Sequence, residues 1–304
     1  IYPASYSFIV SLTFVFDVGM SLQITNFKEG NVKKNAKNAD FEYAVGGFRL
    51  MPKVGLAFGI IPFTNIGYNY QSTGTVNRDD ISGTTTYTNT YSGEGGLHEA
   101  FIGLGWQPVK GVSLGVNGGY LWGNCTRTVS NAYSDSYVNT LSKTMSFDVT
   151  NYKVNFGVQL SRNLSAKDLL TLGATYSIGH KLNADPTLDI VSTNSQTGVT
   201  DTIQFVANNS IELPHEFALG LAYTHNNSFT VAFDYQMQQW SKVHYPKYND
   251  TGNGKPTFYS ASGMFSDRQK FNLGMEYCRD KAGRNFASRV CYRLGATYTT
   301  PYLK

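Results

Sequence analysis

Two groups of residues in this 304-residue chain could support chemistry by their type and spacing. Residues 111–115 read Gly-Val-Ser-Leu-Gly, the G-x-S-x-G pattern that exposes a nucleophilic serine at a strand–turn–helix elbow. Here the motif opens an alternating strand directly after the Lys110-Gly111 turn, and no helical pattern follows it, so Ser113 lacks that geometry. The five histidines are scattered without a metal-ligand spacing. We therefore predict no enzyme activity, no metal site and no cofactor.

The three cysteines fit no metal motif, but two of them align across one hairpin. Placing Cys278 opposite Cys291 also creates two opposite-charge pairs, Glu276 with Arg293 and Asp280 with Arg289. All six residues alternate with an apolar face, so they share the opposite face. This register predicts two interior ion pairs beside either a disulfide bond or two aligned free thiols. Cys125 is predicted to be an unpaired thiol.

Alternation of apolar and polar residues dominates the rest of the sequence. Residues 154–160 and 170–178 both place large apolar side chains at even positions and small or polar ones between them. About eleven segments follow this pattern, while only 15% of residues are charged and no apolar run reaches the length of a membrane helix. Strands that are apolar outside and polar inside are typical of transmembrane barrels. The pattern predicts an all-β chain that forms a transmembrane antiparallel β-barrel.

The connections between these segments alternate in length. The long connections are predicted at 28–40, 72–95, 124–146, 181–207 and 240–265, and short turns separate them. Outer-membrane barrels have long extracellular loops and short periplasmic turns, whereas a soluble β-sandwich, the alternative, has no reason to keep this parity. We therefore expect a multi-pass protein of the bacterial outer membrane, surrounded by lipid and lipopolysaccharide. The net charge of +4 is mild and gives no indication of nucleic-acid binding.

Several short motifs resemble the FadL-type family of outer-membrane transporters for hydrophobic compounds, in particular its Bacteroidetes-like members. The motifs are Tyr2-Pro3-Ala4-Ser5 before the first strand, Ile211-Glu212-Leu213-Pro214, Asp234-Tyr235 followed by Trp240-Ser241, and the late hairpin that ends in Thr300-Pro301. The resemblance implies a barrel of about 14 strands in the full protein, of which about 11 are visible here. Residues 1–6 are then the end of an N-terminal hatch that is largely missing, with Pro3 and Ala4 inside it. Residues 7–304 are the barrel, which is expected to be incomplete at its C-terminus.

The family opens its barrel wall sideways at a kink in the third strand. In this chain Pro62 lies in the middle of that strand, and proline removes a hydrogen-bond donor from the ladder. The expected gate comprises Ile61, Pro62 and Phe63, beside Gly59. A bulge with a purely structural role is the alternative.

The resemblance implies passive uptake of small hydrophobic molecules, either long-chain fatty acids or aromatics, with lateral exit at this gate. The lumen residues expected to contact the ligand are Phe101, Leu121, Gly103, Gly119 and Ala218. The alternative function is a partner or shuttle component of a protein secretion system, which would involve other outer-membrane or secretion proteins. A continuous apolar tunnel would favour uptake, and a lumen filled by side chains would favour the protein partner.

Overall fold

A computed structural model of the protein describes residues 2–30, 32–77, 84–250, 255–280 and 284–303. The described residues contain fifteen strands: β1 (Phe14–Glu29), β2 (Val32–Met51), β3 (Val54–Asn77), β4 (Thr84–Val109), β5 (Val112–Tyr133), β6 (Thr140–Asn163), β7 (Asp168–Ser177), β8 (Thr187–Thr193), β9 (Thr200–Val206), β10 (Glu216–His225), β11 (Phe229–Gln238), β12 (Tyr245–Asn249), β13 (Thr257–Ala261), β14 (Arg268–Cys278) and β15 (Cys291–Thr299). Two 3-10 turns, Pro3–Phe8 and Trp240–Lys242, and the one-turn helix α1 (Phe286–Arg289) complete the elements. No helix among the described residues is long and apolar enough to cross a membrane.

Eleven of these strands form one antiparallel wall in the order β1-β2-β3-β4-β5-β6-β7-β10-β11-β14-β15. This is the number of membrane strands that the alternating segments predict. The wall curls around the N-terminal segment, because the turn Pro3–Phe8 contacts β2 to β6 while Tyr2 reaches Asp234 on β11. The predicted transmembrane antiparallel β-barrel is therefore confirmed.

The large apolar side chains of the wall point outward. Leu172 on β7 is 46% exposed and Leu294 on β15 is 70% exposed, and the first strand presents a continuous apolar row: Phe14, Phe16, Val18, Met20, Leu22 and Ile24. A soluble β-sandwich would bury these residues between two sheets. In a barrel they face lipid, where burying them away from water is favourable.

Three of the predicted long loops are wrong, because most of each segment is strand. The expected loop at 28–40 is the tip of the β1–β2 hairpin, and those at 72–95 and 124–146 are mostly continuations of β3, β4, β5 and β6. The polar, threonine-rich composition of these segments suggested loops. Threonine and tyrosine are good strand formers, however, and a ladder that leaves the membrane needs no apolar outer face.

The other two predicted loops contain hairpins. Strands β8 and β9 lie within 181–207, and β8 pairs with the upper part of β6, which widens the sheet to thirteen strands. Strands β12 and β13 form a separate two-stranded sheet within 240–265. The short turns lie at the opposite end of the barrel. They are assigned to the periplasmic side, because outer-membrane barrels have short periplasmic turns and long extracellular loops.

Candidate functional site

The N-terminal segment, residues 2–8, lies inside the barrel and packs against a row of four glycines. Gly55, Gly105, Gly115 and Gly157 are directly paired across β3, β4, β5 and β6. A Cβ atom on Gly55 would lie 1.9 Å from the Tyr6 carbonyl oxygen, and one on Gly115 would lie 2.3 Å from the Pro3 carbonyl carbon. The row is flat because it has no side chains, and this lets the turn Pro3–Phe8 pack against the inner wall. Sequence reasoning missed this row.

Two polar contacts tie the segment to the wall. The Tyr2 hydroxyl donates to Asp234 Oδ1 at 2.7 Å, and the Ser7 and Ser113 hydroxyl oxygens lie 2.9 Å apart. Burial, together with the bond to Asp234, raises the pKa of the Tyr2 phenol above its ordinary value. Ser113 is fully buried under the segment, which makes it a packing residue. Pro3 and Ala4, the predicted hatch residues, are also almost completely buried here.

The upper lumen holds an internal cap, formed by residues 178–186 and 207–215. The two segments run side by side: the Leu182 amide donates to the Ile211 carbonyl at 2.9 Å, and the Leu213 amide donates to the His180 carbonyl at 2.8 Å. Apolar side chains of the cap pack against the inner wall in one buried cluster: Leu97, Leu121, Cys125, Phe147, Val149, Leu182, Ala184, Ile211 and Leu213. Cys125 is a free thiol buried in this cluster.

A cavity of about 330 Å³ remains in the middle of the lumen, where the N-terminal Tyr2 also contributes to its wall. Its apolar lining includes Ile61, Phe101 and Ala218. Five charged residues also line it: Glu99, Lys153, Glu216, Asp234 and Lys270. The lumen is therefore neither a continuous apolar tunnel nor completely filled.

The five predicted lumen residues divide between this cavity and packed regions. Phe101 and Ala218 line the cavity. Leu121 is fully buried in the cap cluster and does not line it. The Tyr6 ring covers Gly103, where a Cβ atom would lie 2.7 Å from the ring. The Glu99 carboxylate covers Gly119, where a Cβ atom would lie 2.5 Å from Oε1. The sequence did not indicate which inward positions the cap and the N-terminal segment cover.

The barrel wall is open beside Pro62. Strands β2 and β3 pair only from Ala44–Ile60 down to Met51–Val54. Above that point, in the described part of these strands, the backbone of β2 pairs with β1 and that of β3 with β4, while the Asn65 side-chain amide donates to Asp40 Oδ1 at 3.2 Å across the opening. Both strands bulge there: the register shifts next to Glu42 in β2 and at Phe63, directly after Pro62, in β3.

The opening has a recess on the outer side of the wall. A cavity of about 540 Å³ is lined by Pro62 and Thr64 of β3, Phe41 of β2, and polar groups that include Asp40 and His98. Just below the opening, Gly59 lets β2 approach closely, since a Cβ atom there would lie 2.6 Å from the Ala44 carbonyl oxygen. Bulges bend strands and interrupt pairing, so the predicted gate residues do lie at a gap in the ladder.

The late hairpin joins the two predicted cysteines. Cys278 and Cys291 are ladder partners and form a disulfide bond with Cα atoms 4.3 Å apart. Glu276 Oε2 accepts from Arg293 Nε at 2.7 Å in the same register. The ladder stops at the cysteines. Asp280 and Arg289 therefore lie outside it, Arg289 on helix α1.

Comparisons with known proteins agree with this fold. Three solved structures are similar over 98% of the chain: the monoaromatic hydrocarbon channel CymD (TM-score 0.62, 13% identity, 77% of that chain), the toluene transporter TodX of Pseudomonas putida (0.59, 14%, 78%) and the toluene transporter TbuX of Ralstonia pickettii (0.57, 12%, 80%). The resemblance to FadL-type barrels is thus confirmed, and at these identities the likeness establishes the fold alone.

No curated protein matches the chain. The apolar belt and the fold place it in the outer membrane, as predicted. A family model does match, over residues 2–304. The chain therefore belongs to the BamG family.

Proposed function

We propose that the barrel conducts small hydrophobic molecules passively across the outer membrane and releases them sideways between β2 and β3. The observation that carries this proposal is the unpaired stretch above Ala44 and Ile60, with a recess at Pro62. A closed barrel that served only as an anchor would gain ladder hydrogen bonds by pairing these strands. The similar barrels CymD, TodX and TbuX are described as channels or transporters for hydrocarbons, which supports the same class of ligand.

The size of the central cavity favours single-ring aromatics over long acyl chains. Its volume is about 330 Å³, and an apolar cavity of about 150 Å³ is enough to bind benzene. Phe101 and Tyr176 supply ring surfaces on its wall. Five charged side chains interrupt the apolar lining of this cavity, which disfavours a long acyl chain.

Lateral release follows from the hydrophobic effect. Exit into the periplasm would expose the solute to water at about 0.8 kcal/mol for each methylene. Exit through the wall would deliver it directly into lipid, and the recess beside Pro62 supports this route. The N-terminal segment and the internal cap would have to shift for entry, while a downhill gradient supplies the driving force.

The proposal is tested with vesicles whose outer leaflet contains lipopolysaccharide, which slows the permeation of hydrophobic solutes. Radiolabelled toluene should enter vesicles that contain the protein faster than empty vesicles, and unlabelled p-xylene should compete. Equal rates with and without the protein would reject the proposed uptake.

A second candidate is a structural role beside other proteins of the outer-membrane machinery, to which the family name BamG points. The internal cap favours it, because an apolar cluster closes the upper lumen. The β8–β9 hairpin also extends the sheet beyond the wall and presents Val199, Ile203 and Val206 to solvent. Cross-linking in intact cells tests this role: a reproducible outer-membrane protein attached at Ile203 would support it, and attachment to lipid alone would not.

A further inference from the structure

The central cavity and the outer recess lie on opposite faces of β3 and its neighbour β4. Ile61 lines the cavity inside the lumen, whereas Pro62 and Thr64 line the recess outside. Phe63, the extra residue of the bulge, lies between them. Its ring packs against the buried cluster under the internal cap. The Phe63 ring therefore lies beside the part of the wall that separates the two cavities.

The Phe63 ring has a second neighbour inside the lumen. The Lys153 ammonium lies 4.7 Å from the ring centroid, within the range of a cation–π interaction. The same ammonium donates to Glu99 Oε2 at 3.2 Å. The Glu99 side chain is 3% exposed and that of Lys153 is 15% exposed, so little water competes for either charge.

A missing side chain on β5 makes this ion pair possible. Lys153 on β6 and Glu99 on β4 are separated by β5, where Gly119 is the ladder partner of Lys153. A Cβ atom on Gly119 would lie 2.5 Å from Glu99 Oε1. The carboxylate therefore reaches across β5 through the space that the glycine leaves.

We propose that Glu99 and Lys153 are positioning residues that hold Phe63 as the barrier between the central cavity and the outer recess. This inference rests on the proposed lateral exit. Glu99 orients Lys153, and Lys153 holds the ring over the lumen side of the bulge. Passage requires the ring to leave the ammonium. The ion pair thus sets how often the barrier opens, and Gly119 is required for its geometry.

The position of the ring is measured directly with 4-fluorophenylalanine at position 63 and ¹⁹F NMR. The double variant Glu99→Gln with Lys153→Met removes both charges, so no single buried charge is left unpaired. We expect one ¹⁹F resonance in the parent protein and a shifted or second resonance in the double variant. Gly119→Ala should shift the resonance in the same direction, because it displaces the carboxylate without removing a charge. Thr150→Val, on the exposed outer face of β6, is the matched control and should not shift it.

Uptake of toluene into the vesicles is measured on the same variants. Because the double variant loses the cation–π contact that holds the ring in place, its rate of toluene uptake should rise about two- to fivefold. An unchanged ¹⁹F resonance would overturn the positioning role, whether or not the protein transports. A ring that moves without any change in uptake would overturn the barrier role. If the parent protein shows no uptake at all, the proposed function fails, and the ¹⁹F shift still decides whether the ion pair positions Phe63.

Discussion

Substitution of Gly115 by alanine tests whether the glycine row positions the N-terminal segment inside the barrel. The new Cβ atom would lie 2.3 Å from the Pro3 carbonyl carbon and 2.4 Å from the Ala4 nitrogen, so the segment must move by roughly 1 Å to restore ordinary contact. Overpacking of this kind costs about 1–3 kcal/mol. Complete release of the segment would expose the eleven side-chain carbons of Pro3, Ala4 and Tyr6, at a cost of roughly 9 kcal/mol from about 0.8 kcal/mol per buried carbon. The segment should therefore shift and loosen and stay in the barrel.

Limited proteolysis of the N-terminal segment measures this loosening. A loss of about 1–3 kcal/mol raises the population of the open segment by roughly 5- to 150-fold, and the cleavage rate should rise with it. Gly118→Ala is the matched control, because Gly118 lies on the same strand and a Cβ atom there meets nothing within 4 Å. Equal cleavage rates for the two variants would refute the idea that the glycine row positions the segment.

Three further substitutions probe separate parts of the structure. Tyr2→Phe removes the donor to Asp234 and should destabilise the N-terminal segment by about 1.5–3 kcal/mol, measured by the same proteolysis; an unchanged rate would contradict the hydrogen bond. Cys291→Ser should lower the free energy of unfolding by about 3 kcal/mol, since the bond to Cys278 closes a loop with a sequence separation of 13; denaturant unfolding should then no longer respond to reductant. Pro62→Val restores a ladder donor and should slow toluene uptake without lowering the unfolding midpoint; unchanged uptake would argue against the gate.

The barrel wall could be predicted because successive side chains of a barrel strand face lipid and lumen alternately, so every second residue of a strand is apolar. The hairpin of Cys278 and Cys291 could be registered as far as the cysteines, because Glu276–Arg293 and Cys278–Cys291 fall in one alignment, whereas the ladder ends before the third predicted pair, Asp280 with Arg289. The lumen was less predictable, since any inward position can face a cavity, the cap or the N-terminal segment. Leu121 illustrates this: its alternation is that of a lumen residue, yet the cap buries it.

One signal for the glycine row was present in the sequence. Gly105 and Gly115 lie symmetrically about the turn between β4 and β5, so any hairpin register there pairs them or nearly pairs them. Two facing glycines on an inward face indicate that another backbone approaches closely. The Glu99–Lys153 pair had no comparable signal, because its partners lie on strands separated by β5.

A covalent clamp across the wall opening tests lateral conduction most directly. Phe41 of β2 and Thr64 of β3 both line the outer recess, so cysteines introduced at these positions can be joined by a flexible photocleavable bis-maleimide. Toluene uptake into lipopolysaccharide-containing vesicles should stop on cross-linking and return after cleavage, while either single cysteine variant should conduct normally. Undiminished uptake through the clamped barrel would contradict exit between β2 and β3.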